Sequence, residues 1–296
     1  MDFMEKTPYH ISFSGGRTSG YMTKLLLDHW GDRHNFIVTF ANTGLEHPKT
    51  LDFIRECDRR FGFNTVWLEA VVHHGSRKAP THRVVTYETA SRKGEPFEEV
   101  IKKYGIPNTK FPGCTRDLKL NPIKSYLASL GIQENQIPTA IGIRNDELRR
   151  VNAKVSSERV LHYPLINEWP TDKQDVLDWW SEQEFDLEID EFEGNCQGCW
   201  KKSFKKHFMQ IARAPEVYDF HRRMEAEHLY TGPQKGHRHF FRGDVSTERL
   251  FEMYHECNGA EQRVPANLDG DVGSCSESCE LYETEVVPAS RLLRKV

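Results

Sequence analysis

Short apolar runs alternate with helix-spaced ones through the first half of the chain. Residues 9–14 (YHISFS) predict a strand, and residues 18–30 a helix that gathers Tyr21, Leu25 and Leu26 on one side. Residues 35–42 (NFIVTFAN) predict a second strand, followed by a helix over 48–61 with Leu51, Ile54 and Arg55 at helical spacing. A third strand is expected over 64–72 (NTVWLEAVV), a helix over 117–130, and a fourth strand over 139–143 (TAIGI). Strands that alternate with helices imply a doubly wound parallel sheet covered on both faces, an α/β fold. Residues 73–82 (HHGSRKAPTH) show neither period and read as a loop that holds His73, His74 and His82.

The pattern changes beyond about residue 164. Helices are expected over 172–183 and 204–212, and the remainder is polar and turn-rich. The division that follows is an α/β core over 1–190 and a helical, cysteine-bearing part over 191–296. A chain of 296 residues can bury roughly 75% of its unfolded surface, enough for a sizeable core. Its formal net charge of −4 gives no global pull toward nucleic acid, so such a partner would have to meet a local patch. No run approaches the roughly 18 apolar residues of a membrane span, and the first ten residues lack the apolar stretch of a signal peptide. A cytoplasmic location without membrane attachment is the expectation.

Composition sharpens this at two places. The first is the loop SGGRTS. Gly15 and Gly16 can adopt backbone conformations that bring N–H groups close to an anion. Ser14, Thr18 and Ser19 add hydroxyls, Arg17 adds a cation, and the following helix presents its positive end. Gly15 and Gly20 have the separation of a Walker loop, but Tyr21 stands where its lysine belongs. Transfer of a terminal phosphate therefore loses support. A bare strand-to-helix turn is the alternative. Arg144, Arg149 and Arg150 follow a predicted strand, at the carboxyl edge where open α/β sheets bind ligands, and guanidinium forks suit phosphate or sulfate. A solvated charged turn is the alternative there.

The second place is the set of seven cysteines, six of them beyond residue 110. Cys196 and Cys199 form a C-x-x-C pair, which on spacing alone is half a zinc site, half an iron–sulfur site, or a dithiol. Cys275 and Cys279 form a second close pair. Cys57 falls in an amphipathic helix and reads as a small buried hydrophobe.

SGGRTS resembles the signature of the PP-loop family, the adenine-nucleotide α-hydrolase-like enzymes. In that family the loop grips the terminal phosphates and leaves the α-phosphate open to attack. Four more stretches extend the likeness: FANTGLEHPKTLDFI, GCTRDLKLNPIKSYL, IGIRNDELRR and YPLINEWPTDKQDVLDWW. Together they resemble the phosphoadenosine phosphosulfate (PAPS) reductase-like family, in its compact bacterial and phage-type form. The resemblance runs from about residue 9 to 200. It implies that the backbone of Asn42, Thr43 and Gly44 meets adenosine, that Gly142 and Arg144 form a Gly-x-Arg phosphate segment, and that Cys114 and Arg144 serve catalysis. ATP, or PAPS or its 3′-dephospho form APS, is the implied nucleotide, with Mg2+.

Iron–sulfur members of that family join a Cys-Cys pair to a later C-x-x-C around a [4Fe–4S] cluster. Here the pair reads Gly113-Cys114, so one ligand is missing. Either Cys275 or Cys279 supplies the fourth, or Cys114, Cys196 and Cys199 hold the cluster and leave one iron open. Zinc on Cys196, Cys199, Cys275 and Cys279 is the competing assignment. Glu256-Cys257 matches two positions of the reductases' catalytic Glu-Cys-Gly, but Asn258 breaks the match. The basic, aromatic stretches KKSFKKHF and KGHRHFFRG are candidates for holding an anionic substrate by charge and base stacking. The expectation is ATP-dependent, pyrophosphate-releasing sulfur transfer to a nucleic acid or nucleotide, with a sulfur donor as partner. The alternatives are a sulfite-producing PAPS or APS reductase served by a thioredoxin-like reductant, and a zinc-stabilised binding module without turnover. A homodimer is compatible with any of these.

Overall fold

The computed structural model describes residues 6–257 apart from 134, 152, 195, 234 and 235, and without the side chains of 153–155. Six strands form one sheet: β1 (Thr7–Ser12), β2 (His34–Ala41), β3 (Val66–Val71), β4 (Thr81–Val85), β5 (Thr139–Ala140) and β6 (Leu161–His162). Their order is β4-β3-β2-β1-β5-β6. All neighbouring pairs are parallel except β3 with β4. The chain winds outward from β1 through β2 and β3, then returns to the other side of β1 as β5. That reversal makes the carboxyl ends of β1 and β5 the switch point where open α/β sheets form a ligand crevice.

The helices are α1 (Arg17–Trp30), α2 (Pro48–Phe61), α3 (Glu95–Tyr104), α4 (Asn121–Ser129), α5 (Ala153–Arg159), α6 (Pro164–Asn167), α7 (Lys173–Ser181), α8 (Phe204–Arg213), α9 (Asp219–His228) and α10 (Thr247–Glu256). Local chemistry explains several limits. Helix α2 starts with Pro48 in its first turn and ends at Gly62, whose φ of 67° stops the helix. Asp172 caps α7, Ser203 caps α8 and Ser246 caps α10, each accepting a backbone N–H. Helix α1 starts on Gly16 without a side-chain cap, so its first amides face the crevice unclaimed by a capping side chain.

The expected helix over 117–130 is entered through a π turn at Arg116–Leu120 that runs directly into α4. The loop expected over 73–82 is shorter than its sequence suggests, because Thr81 already begins the antiparallel edge strand β4. Helices α3, α9 and α10 lie in stretches where no helix was expected.

Two large cores divide the interior. One packs α1, α2 and α7 on the central strands, with Ile11, Phe13, Leu26, Ile54, Cys57 and Trp180 almost wholly buried. The other joins Leu45, Phe97, Ile101 and Leu118 to Trp200, Phe204, Phe208, Tyr218, Phe240 and Leu250. This second core draws on both sides of residue 190. The cysteine-bearing part is folded onto α3 and the π turn, with no separate interior of its own among the described residues.

Candidate functional site

Gly15 has φ of 81°, and a Cβ there would lie 2.9 Å from both Ile54 and Thr50 of α2. Glycine is therefore required on two counts, backbone conformation and space. Ser19 closes the loop: its hydroxyl lies 2.7 Å from Ser14 Oγ, accepts from the Ser14 amide at 3.2 Å and reaches the Gly16 carbonyl at 3.1 Å. From the other side of the switch point, Gly142 presses on α1; a Cβ there would stand 3.1 Å from the Ser19 backbone. Arg144 then donates to Thr18 Oγ1 at 3.0 Å while Asp146 holds its Nε at 2.9 Å. The two segments read from sequence as phosphate-binding are thus brought together.

The other arginines separate. Arg17 is engaged by Asp186 through a bidentate pair at 2.7 and 2.8 Å, an arrangement that ties α1 to the segment after α7. Trp180 reinforces the tie by donating to the Arg17 carbonyl at 2.9 Å. Arg150 pairs with Glu147 at 2.7 Å, and Arg149 is exposed.

The turn after β2 is built from its own side chains. Asn42 is fully buried; it donates to Glu69 at 2.7 Å and to the Ser91 carbonyl at 2.9 Å, and accepts from the Gly44 amide. Gly44, with φ of 84°, lets Gly94 approach to 3.0 Å of where a Cβ would sit. The Glu46 carboxylate accepts from the Thr43 amide at 3.0 Å and from its hydroxyl at 2.8 Å. Burial raises the Glu46 carboxyl above its usual range, against the pull of Lys119.

That turn also meets the cysteines. Thr43 Oγ1 is 3.2 Å from Cys196 Sγ, Glu46 and Cys196 pair as an antiparallel bridge, and the Gln197 amide donates to the Leu45 carbonyl at 2.7 Å. Gly198 has φ of 65°, and a Cβ would collide with the His221 ring at 2.4 Å, so C-x-G-C is the form this turn requires. Cys114, Cys196 and Cys199 line a single pocket of about 480 Å³, mouth included, with Lys119 and His221 on its wall. Burial, then the charge of Glu46, push the Cys196 thiol well above its ordinary value, so a metal or cation must displace its proton before it acts as a thiolate. Cys275 and Cys279 lie outside the described residues. Cys57 is buried in the first core, as its helix pattern implied. Cys257 closes α10 against the second core.

The aromatic members of the two basic stretches point inward. Phe204, Phe208, Phe240 and Phe241 belong to the second core, and Lys202 and Arg238 are buried with them. Base stacking by these rings is therefore excluded. The loop histidines disperse to separate partners: His73 to Thr81, His74 to Glu99 and His82 to Ser125.

Sequence reasoning missed Glu46, Lys119, Asp186 and His221. Glu46 had a local signal, the T-x-x-E spacing from Thr43 that marks a side chain folding back on a backbone amide. Lys119 lies in the stretch GCTRDLKLNPIKSYL, close after Cys114, whose likeness to the family was read without giving that lysine a role. Asp186 and His221 reach the site through long-range packing.

Comparison with known proteins identifies the family of the chain. The phosphoadenosine phosphosulfate reductase domain matches residues 8–170. A nin region protein of Escherichia phage lambda, ORF290, is 30% identical over 290 residues, covering 92% of this chain and 94% of that one. A Methanocaldococcus jannaschii protein is 28% identical over 142 residues, which is 48% of this chain but only 24% of the relative. Among solved structures, the PAPS reductase of Candida auris in its phosphate complex aligns over 60% of this chain and 73% of its own, at 15% identity and a TM-score of 0.37. With the domain matched across the glycine loop, the turn after β2, Cys114 and the Arg144 segment, the chain belongs to the phosphoadenosine phosphosulfate reductase domain family.

Proposed function

We propose that this chain couples an adenine nucleotide to sulfur chemistry, activating a nucleic acid or nucleotide with ATP and replacing the activated oxygen by sulfur. The observation that carries this reading is the shared turn after β2. The turn itself touches Cys196 through Thr43, and the helix it leads into, α2, crowds the glycine loop where Thr50 and Ile54 approach Gly15. A nucleotide held along Asn42, Thr43 and Gly44 would run from the phosphate loop to the cysteine pocket.

The chemistry follows from what each part offers. The terminal phosphates of ATP, with Mg2+, suit the amides of Gly15, Gly16 and the first turn of α1. Arg144, fixed by Thr18 and Asp146, stands at the same edge to stabilise charge on the α-phosphate. A substrate oxygen attacks that phosphorus, forming an adenylated substrate and releasing pyrophosphate. A sulfur nucleophile then displaces AMP.

An iron–sulfur cluster fits the donor set. Three cysteines line one pocket, thiolates are the ligands iron–sulfur centres prefer, and the Lys119 cation offsets the charge of an anionic group. Bound there by Cys114, Cys196 and Cys199, it would supply sulfide-transfer or electron-transfer chemistry. Lys119 and Glu46 set the charge around it, and Thr43 orients Cys196.

Product analysis tests the proposal. Under anaerobic, reducing conditions with a sulfide source and RNA or nucleotide acceptors, ATP should yield pyrophosphate and AMP together with sulfur-labelled acceptor. Sulfite released from PAPS or APS, without pyrophosphate from ATP, would replace this reading with a sulfonucleotide reductase. A colourless, zinc-loaded chain that turns over neither nucleotide would replace both with a binding module.

A further inference from the structure

The segment after α9 carries a second cluster of ligand-type side chains that the nucleotide and sulfur chemistry does not use. Arg238 is its anchor. Only 4% exposed, its guanidinium lies 3.8 Å from the centre of the Phe111 ring, and it donates to the Tyr104 carbonyl at 2.9 Å. Neighbours in an extended chain point to opposite faces. With Arg238 turned inward, His237 and His239 share the outer face, their ring centres 5.1 Å apart.

The chain then folds back. Phe241 and Val245 exchange both backbone hydrogen bonds, at 3.1 and 3.3 Å, around Gly243 (φ 71°) and Asp244 (φ 64°). The left-handed backbone at Asp244, uncommon outside glycine, returns its carboxylate to the two imidazoles. Oδ2 lies 2.8 Å from His237 Nε2, and Oδ1 lies 3.4 Å from His239 Nδ1. The three ligand atoms all lie within 4.8 Å of one another. Donors around a tetrahedral zinc ion, at bond lengths of about 2.0–2.1 Å, stand about 3.3 Å apart. The turn is also held in place: Asn108 donates to the His239 carbonyl at 2.8 Å, and the Phe240 amide donates to Glu225 at 3.1 Å.

We propose that His237, His239 and Asp244 form a metal site for a divalent transition ion of the zinc class. Two imidazoles and one carboxylate suit zinc, cobalt(II), nickel(II) or iron(II) better than calcium or magnesium, which take oxygen ligands. The ion takes the place of the proton shared between His237 Nε2 and the Asp244 carboxylate and of the one His239 Nδ1 donates to the Asp244 carbonyl, 3.1 Å away, both protons passing to solvent. Three protein ligands on a partly exposed turn leave at least one coordination position open to water or to a substrate oxygen. Phe240, next in sequence to His239, lines the cysteine pocket, so an ion here braces one wall of that pocket without touching its sulfurs.

Cobalt(II) titration of the full-length chain separates this site from the cysteines. After removal of metals with a chelator, the wild type should bind one cobalt(II) whose visible bands lack thiolate-to-cobalt charge transfer. That component should persist in Cys196→Ser. It should weaken by about 100-fold or more in His237→Ala, an exposed position, and in Asp244→Asn, which keeps the size and left-handed tolerance of the turn residue. Far-UV circular dichroism checks that both variants remain folded. Sulfur-free cobalt binding that survives in both, or cobalt that binds only with thiolate charge transfer, overturns the proposal.

Discussion

The crevice at β1 and β5 and the cysteine pocket are built on opposite plans. At the crevice, side chains satisfy one another: Ser14 with Ser19, Arg17 with Asp186, Asn42 with Glu69, Arg144 with Thr18 and Asp146. The surface left for a ligand is mostly backbone amide. On the lining of the cysteine pocket, Trp200 Nε1 and His221 Nδ1 are buried without a hydrogen-bond partner among the described residues, and on α8 His207 Nε2 and both amide atoms of Gln210 are in the same state. Each such atom left unmet costs about 1–3 kcal/mol, so the partners must come from outside those side chains. A self-satisfied loop suits a ligand that comes and goes with each turnover. An unsatisfied pocket suits a resident group.

That contrast breaks most visibly at the cysteines. Cys196→Ser or Cys199→Ser should remove bound iron and acid-labile sulfide and lower sulfur chemistry by about 100-fold or more. Nucleotide affinity, measured by equilibrium dialysis, should stay within about threefold because the crevice keeps its own bonds. Equal loss of both functions would mean that the two regions form one folding unit with no division of labour.

Gly15→Ala should produce the opposite pattern. The left-handed backbone costs about 1–2 kcal/mol with a Cβ, and contact with Ile54 and Thr50 at 2.9 Å adds to it. Thermal stability and nucleotide affinity fall, the latter by about tenfold, while metal content stays at the wild-type level.

Acid should weaken both regions together. Burial holds His10, between Thr39 and Thr139, at about 3, and His221 at about 4, below the ordinary 6.5. His207 is lowered in the same direction by the same cause. A depressed histidine binds its proton only in the unfolded chain over this range. The stability is fully present above pH 6.5 and is lost as pH falls toward 3, at about 1 kcal/mol per pH unit for each histidine. Denaturant unfolding between pH 7 and 5 should show this slope, and His10→Gln should reduce it.

The smallest effect probes the joint between the regions. Glu46→Gln removes a charge that raises the Cys196 thiol. Alkylation of Cys196 in the metal-free chain at pH 8 should speed up modestly, because a lower thiol pKa raises the thiolate fraction.

Much of the crevice was legible because its elements are local. The residues of α2, from Pro48 to Phe61, are those its apolar spacing indicates, and the glycine loop lies between β1 and α1 as its composition requires. The cysteine half was far less legible. Helix α9, DFHRRMEAEH, buries only Phe220, His221 and Met224, too few apolar positions to stand out. In the core half, the short strand β6 is two residues long and exists through pairing with β5. Lys202 and Arg238 read as surface cations, yet packing carries both inside. His237 and His239 show no ligand pattern until the turn at Gly243 and Asp244 brings the carboxylate back.

The account stands on the turn from Thr43 to Glu46 joining the nucleotide to the cysteines. Mass spectrometry of anaerobic, metal-free protein, alkylated with and without ATP, tests that joint directly. Bound ATP should slow modification of Cys196 and Cys199 while leaving Cys257 unchanged. Identical rates at Cys196 and Cys199 with saturating nucleotide would contradict it.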